Sequence, residues 1–271
     1  LFGIGTVICA ALAGMFPRPA SAIELLTNGN FETDPGSGFA PGWTRFEQTG
    51  SVGQFYLDTP GSTVFSANEL GTPQTTEGGA RYAVSVAANA TGTQSGAGAH
   101  SLSQSFSLPG NATSVTLRYQ FFAQNYRQLG TAGGEAGLDY TRGTPDGNGG
   151  FINMHARVDI LRDGALPLST NASDIIRTVE APFSRAANGS VWEVKQLDVT
   201  SGLQFGQTYT LRFGVVKNVD ELLLGVDNVS LDYVGTVVIP ETNTAGLMWL
   251  PMLLMGGMGL LRRYKAQPRT P

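Results

Sequence analysis

The sequence predicts an all-β protein, an antiparallel β-sandwich carried between two apolar ends. Three observations predict it. Apolar and polar side chains alternate with a period of two in window after window through the middle of the 271-residue chain. Between those windows stand Gly, Pro, Ser and Asn; 36 glycines with a charged fraction of only 14% suit many short strands joined by turns. No window of the central region carries an apolar repeat of helical period.

Taken in order, Leu1 to Ala22 is apolar and rich in small residues and ends Ala20-Ser21-Ala22. An apolar run closed by an A-x-A site predicts a secretory signal peptide over 1–22, with cleavage marked by Ala20 and Ala22. Cys9, the single cysteine, lies inside it. The exported product would then have no thiol, which excludes disulfides, thiolate metal sites and a cysteine nucleophile.

Residues 23–236 form the expected domain, long enough for a sizeable core. From 23 to 240 there are 20 Asp and Glu against 12 Lys and Arg, a net of −8, and the only lysines are Lys195 and Lys217. That balance offers no electrostatic footprint for nucleic acid.

The strands follow. Ser101, Ser103, Ser105 and Ser107 alternate with Leu102, Gln104, Phe106 and Leu108, a strand with one wet face, and Pro109-Gly110-Asn111 turns it. Val115, Leu117, Tyr119 and Phe121 alternate with Thr116, Arg118 and Gln120. Met154, Ala156, Val158 and Ile160 repeat the pattern, with Asp163-Gly164 as a hairpin signal after it. Trp192, Val194 and Gln196 follow, then Tyr209, Leu211, Phe213 and Val215, and lastly Val229, Leu231 and Tyr233.

The connection from Arg127 to Gly150 holds eight glycines in 24 residues. A connection of that length is either a functional loop or a solvated insertion. As a ligand loop it would offer Tyr140 to stack on a sugar ring and carboxylates for the hydroxyls. Other aromatic candidates for such a site are Tyr126, where a binding loop would begin, and Trp192; the alternative for Trp192 is the core. Catalysis finds little support. His100 and His155 are the only histidines, on separate strands, and no nucleophile elbow, H-E-x-x-H or P-loop occurs. No pair of carboxylates is marked by its spacing as a glycosidase acid and base.

The tail reads Ile239-Pro240-Glu241-Thr242, a polar spacer, 17 uncharged residues from Ala245 to Leu261, and Arg262-Arg263-Tyr264-Lys265. As a helix at about 1.5 Å per residue, the uncharged run covers about 25 Å, just under a bilayer core of about 30 Å. The basic cluster after it is the pattern that holds that end in the cytoplasm. Residues 245–261 are therefore the expected inner-membrane span, and everything before it would lie outside.

In this order, motif, apolar helix and basic end resemble the PEP-CTERM sorting tail of Gram-negative bacteria. Here Thr242 stands where that family has its second proline. The resemblance implies sorting by an exosortase acting at Pro240, Glu241 and Thr242, with Arg262 and Arg263 as the basic end, over a tail of 237–271. It also implies a setting of exopolysaccharide production and biofilm matrix. An ordinary C-terminal membrane anchor is the alternative.

A second resemblance is carried by Leu25-Leu26-Thr27-Asn28-Gly29-Asn30-Phe31-Glu32 with Gly42-Trp43, by Leu224 to Leu231, and between them by Gly98 to Leu108. Together these resemble the galactose-binding-like jelly roll of several carbohydrate-binding module families. The resemblance implies that the first and last strands lie side by side and that a structural calcium sits near them. Glu32 and Asp227 match the carboxylates of the opening and closing motifs. Calcium takes about six to eight oxygens, of which these would supply the first; alternatively Glu32 caps a turn and Asp227 binds backbone amides.

The expectation is a non-catalytic protein of the cell surface or extracellular matrix, associated with glycan. Its alternatives are a structural or adhesive surface protein that binds no sugar, and a polysaccharide-active hydrolase.

Overall fold

Thirteen strands account for the regular structure of the described residues. In chain order they are β1 (Ile23–Glu24), β2 (Thr44–Glu47), β3 (Gln54–Asp58), β4 (Tyr82–Val86), β5 (Gly98–Ser107) and β6 (Ala112–Asn125). Then come β7 (Thr144–Pro145), β8 (Phe151–Ile152), β9 (His155–Arg162), β10 (Ile175–Phe183), β11 (Glu193–Asp198), β12 (Thr208–Lys217) and β13 (Leu222–Gly235). The structure is a computed structural model that describes residues 22–33, 39–59, 79–86, 96–125, 136–184, 192–219 and 222–236. Ala20, Tyr126, the sorting residues Pro240, Glu241, Thr242, Arg262 and Arg263, and the 245–261 span lie outside them; Ala22 is the first residue within.

The protein is an all-β antiparallel sandwich. One sheet runs β11-β6-β13-β4-β3, with β1 also paired to β13; the other runs β10-β9-β12-β5-β2. The spine of the first is the pair β6 and β13, in register from Val226↔Phe121 to Tyr233↔Val115 apart from one bulge. Leu117, Tyr119 and Phe121 of β6 turn inward by the period-two rule and meet Leu211, Phe213 and Val215 of β12 in one buried cluster. Tyr119 lies edge-on to Phe213 at 5.4 Å, and Trp43 stands 6.2 Å from the same ring. Burying one such ring contributes about 1.5–3 kcal/mol. Between the edge strands β11 and β10, Lys195 reaches Glu180 at 3.1 Å.

Two expectations of the sequence are modified. The Asp163-Gly164 turn forms, with Gly164 at φ +73°, but it leads into a loop over 165–174 rather than a tight hairpin. The cause is Arg212 on the outer face of β12. Its guanidinium pairs with Asp159 and donates to the carbonyls of Pro167, at 3.1 Å, and Ser169, holding the loop down over the sheet. Arg157 joins Asp159 through two hydrogen bonds of 2.7 Å.

The serine face of β5 is wet at one end only. Ser105 and Ser107 are exposed and bond Thr210 and Thr208 at 3.0 Å. Ser101 and Ser103 are buried. Within the 127–150 connection, residues 136–140 are packed against the fold, while 141–150 are exposed apart from Gly143 and pair only through β7 with β8. Leu138 packs with Ala99 and Val216 on the outer face of the five-stranded sheet.

Candidate functional site

The arrangement begins with a break in the alternation of β13. Val226 points into the core, and so do Val229 and Leu231; the step of three between Val226 and Val229 requires an extra residue. It is taken up between Asp227, opposite Gln120, and Ser230, opposite Arg118. Asn228 sits in this bulge at φ +47°, a conformation asparagine tolerates better than most residues.

The opening segment is laid against that bulge. The Val229 N–H donates to the Gly29 carbonyl at 2.9 Å. Asn28 and Phe31 both adopt positive φ, +51° and +55°, which curls the chain into a tight loop. Phe31 is fully buried beside Trp43, whose indole Nε1 donates to the Asn28 carbonyl at 3.0 Å. Gln104 fixes Thr27 from the other sheet, accepting from its N–H at 2.6 Å and donating to its carbonyl at 2.9 Å.

Glu32 and Asp227 lie on either side of this junction. The Glu32 carboxylate accepts from the N–H groups of Ala80 and Arg81 at 2.7 and 2.8 Å, tying the loop to the start of β4. Asp227 is buried; its Oδ1 accepts from the Asn228 N–H at 2.7 Å, and its Oδ2 has no hydrogen-bond partner among the described residues. Burial pushes the Asp227 carboxyl up to about 7, the nearby Glu32 charge adding to the effect and the Asn228 N–H opposing it. A buried, unsatisfied carboxylate oxygen beside a second carboxylate is a donor set that fits a hard cation such as calcium. Among the described residues there is no group of three or more His, Cys, Asp and Glu placed to hold a metal. Among the described residues, further oxygens for an ion here would come from backbone carbonyls, side-chain amides or hydroxyls, or water.

Beside the junction a cleft of about 510 Å³ opens on the outer face of the six-stranded sheet. Arg118 and Gln120 of β6 and Asn228 and Ser230 of β13 line one part, and Glu24, Leu26 and the Asn28–Asn30 loop line the rest. Asn228 Nδ2 donates to Gln120 Oε1 at 2.7 Å, so the two amides orient each other. Glu24 Oε1 accepts from the N–H groups of Leu25, Leu26 and Leu231 at 2.8–3.0 Å. Among the described residues the lining has side-chain amides, a hydroxyl, a carboxylate and a guanidinium, but no aromatic ring. Such a surface suits a ligand rich in hydroxyls, held by hydrogen bonds rather than stacking.

The aromatic residues expected at a sugar site are not brought together. Tyr140 lies on the outer face of the five-stranded sheet, packed with Ala99, Leu138 and Val216; its hydroxyl donates to the Thr49 carbonyl at 3.0 Å and its N–H to Gln48 Oε1 at 3.0 Å. Trp192 lies on the outer face of the opposite sheet, edge-on to Tyr82 at 5.5 Å and Phe122 at 4.9 Å. Both rings are part of local packing, and their sheets turn them in opposite directions. Sequence reading missed Glu24, Arg118, Gln120 and Asn228. The available signal was the broken alternation around Asp227-Asn228.

His100 is also buried. Its Nδ1 lies 2.9 Å from Ser85 Oγ across the two sheets, and burial, with Lys217 adding, holds its pKa down to about 3. The pair is sealed in the interior, and its geometry fastens sheet to sheet.

No family model matches the chain, and no curated protein matches it. Among solved structures it is similar to TmCBM61 in complex with beta-1,4-galactotriose, at 12% identity over 77% of this chain and 97% of that one, with a TM-score of 0.39. It is similar to a cleaved adhesin domain of Lys-gingipain from Porphyromonas gingivalis, at 13% identity over 80% of this chain and 99% of that one, with a TM-score of 0.41. It is also similar to a cyclase from Fischerella sp. TAU in complex with 4-(1H-indol-3-yl)butan-2-one, at 14% identity over 80% of this chain and 100% of that one, with a TM-score of 0.43.

Proposed function

We propose that this is an exported, non-catalytic glycan-binding β-sandwich, and that its binding site is the cleft between β1, the Asn28–Asn30 loop, β6 and β13. The observation that carries this reading is the lining itself: amides and charged groups from three separated stretches of chain converge on one cleft of about 510 Å³. That size falls in the range of about 300–1,000 Å³ usual for ligand sites. Most of the groups stand on paired strands or on the clamped opening loop, so little ordering is lost when hydroxyls bind.

In the same reading Glu32 and Asp227 hold a structural calcium. When bound, the ion supplies positive charge where two carboxylates approach each other, and so fastens the opening loop to β13. The residues that hold it do not touch the ligand. Export follows from the signal segment 1–22. Exosortase sorting at Pro240–Thr242, with transient retention in the inner membrane through 245–261, would deliver the domain to the cell surface or to an extracellular polysaccharide matrix.

The test is glycan-array binding by the full-length protein and by its Asn30→Ala and Gln120→Ala variants. Binding that weakens at least tenfold in both variants, with melting unchanged in Asn30→Ala, supports the cleft. Binding to no glycan rejects this reading in favour of a structural or adhesive surface protein. Release of new reducing ends from a bound polysaccharide rejects the non-catalytic part of it.

A further inference from the structure

We propose that the glycan held in this cleft is acidic, and that Arg118 reads a carboxylate on one of its sugar rings; this inference rests on the preceding reading and names its ligand class. Arg118 projects from β6 between Gln196 of β11 and Ser230 of β13, both at its own register position. It is exposed, and among the described residues no carboxylate lies within ion-pair distance of its guanidinium. A guanidinium has five donors in a rigid fork and no acceptor, a shape matched by a carboxylate's two oxygens.

The rest of the lining does not supply that partner. Among the described residues Glu24 is the one carboxylate in the cleft, and its Oε1 is already engaged by three backbone N–H groups. Gln120, Asn28, Asn30, Asn228 and Ser230 are neutral, and suit hydroxyls and ring oxygens. One unpaired fork in an otherwise neutral, hydrogen-bonding bed is complementary to a polyol with one carboxylate, as in a hexuronate residue. A neutral sugar would leave the fork to water. The surrounding domain, at −8 from 23 to 240, does not attract an acidic polymer over distance. At physiological salt its field is screened beyond about 8 Å, so recognition is local and bidentate rather than long-range.

The experiment is an array of uronate-bearing, pyruvylated and neutral glycans probed with the full-length protein, followed by titration of each hit beside its carboxyl-reduced counterpart of equal length. The expected result is acidic hits that weaken at least tenfold on carboxyl reduction. Arg118→Gln should lose that preference, with melting unchanged because the side chain is exposed. Uronate hits name the ring carboxylate, and pyruvylated hits the acetal-borne one. Hits that bind equally after reduction, or equally to Arg118→Gln, overturn the acidic assignment and leave the glycan reading standing. An array with no hits overturns both.

Discussion

Gly29 and Val229 touch backbone to backbone: besides their 2.9 Å hydrogen bond, a β-carbon on Gly29 would lie 1.8 Å from the Val229 carbonyl oxygen. The obstacle is main chain in a paired strand, so it cannot rotate away as a side chain would. Only glycine lets the opening loop close on the β13 bulge. Gly29→Ala is therefore expected to destabilise the fold by about 2–3 kcal/mol and to open the wall of the cleft. Denaturant unfolding measures the first effect. A change within about 0.5 kcal/mol would show that the junction is not fixed by this contact.

Asp227 makes stability depend on pH in a defined direction. Its carboxyl is raised from the ordinary 3.8 to about 7, chiefly by burial and then by the Glu32 charge. The ionised form is the one the folded state disfavours. The contribution is thus fully present below about pH 4 and lost as pH rises through about 7. In chelator, melting temperature should fall between pH 5.5 and pH 8, and Asp227→Asn should flatten that fall. Millimolar calcium should raise melting more at pH 8 than at pH 5.5, since the cation favours the ionised form. Equal melting at pH 8 with calcium and with chelator would reject Glu32 and Asp227 as a metal site.

A third expectation concerns Asp159, buried between Arg157 and Arg212 beneath the 165–174 loop. Removing one member of a buried ionic group leaves the others unpaired, at a cost of about 3–5 kcal/mol. Asp159→Ala should cost that much in denaturant unfolding. Because Arg212 also holds the carbonyls of Pro167 and Ser169, the same variant should admit proteases to this loop at concentrations that leave the parent intact. Unchanged proteolysis would separate the ionic group from the loop.

Strands were legible because their signal is local. Leu117, Tyr119 and Phe121 face the core, as the alternation required, and so do Tyr209, Leu211, Phe213 and Val215. The cleft was not legible, because it joins the 24–30 stretch to Arg118 and Gln120 and to Asn228, three stretches that only strand pairing brings together. Nor does alternation tell a wet face from one covered by a loop. Ser101 and Arg212 both occupy outward positions, yet both are buried. Trp192 shows the same limit: the face it shares with Val194 is solvent-facing at Val194, which is 52% exposed, while neighbouring rings pack the tryptophan itself.

The different settings of Tyr140 and Trp192 separate packing from recognition. Trp192 meets Tyr82 and Phe122 edge-on within 5.5 Å, so Trp192→Ala removes a large ring from an apolar cluster and should cost about 3 kcal/mol. Tyr140→Phe removes only the hydroxyl that donates to Thr49, and should cost about 1 kcal/mol. Neither residue lines the cleft. Both variants should therefore melt earlier yet bind glycan with unchanged affinity at a temperature where they are folded. Gln120→Ala should show the opposite balance, with affinity falling more than stability. Loss of binding in folded Tyr140→Phe or Trp192→Ala would move the site from the cleft to the aromatic faces.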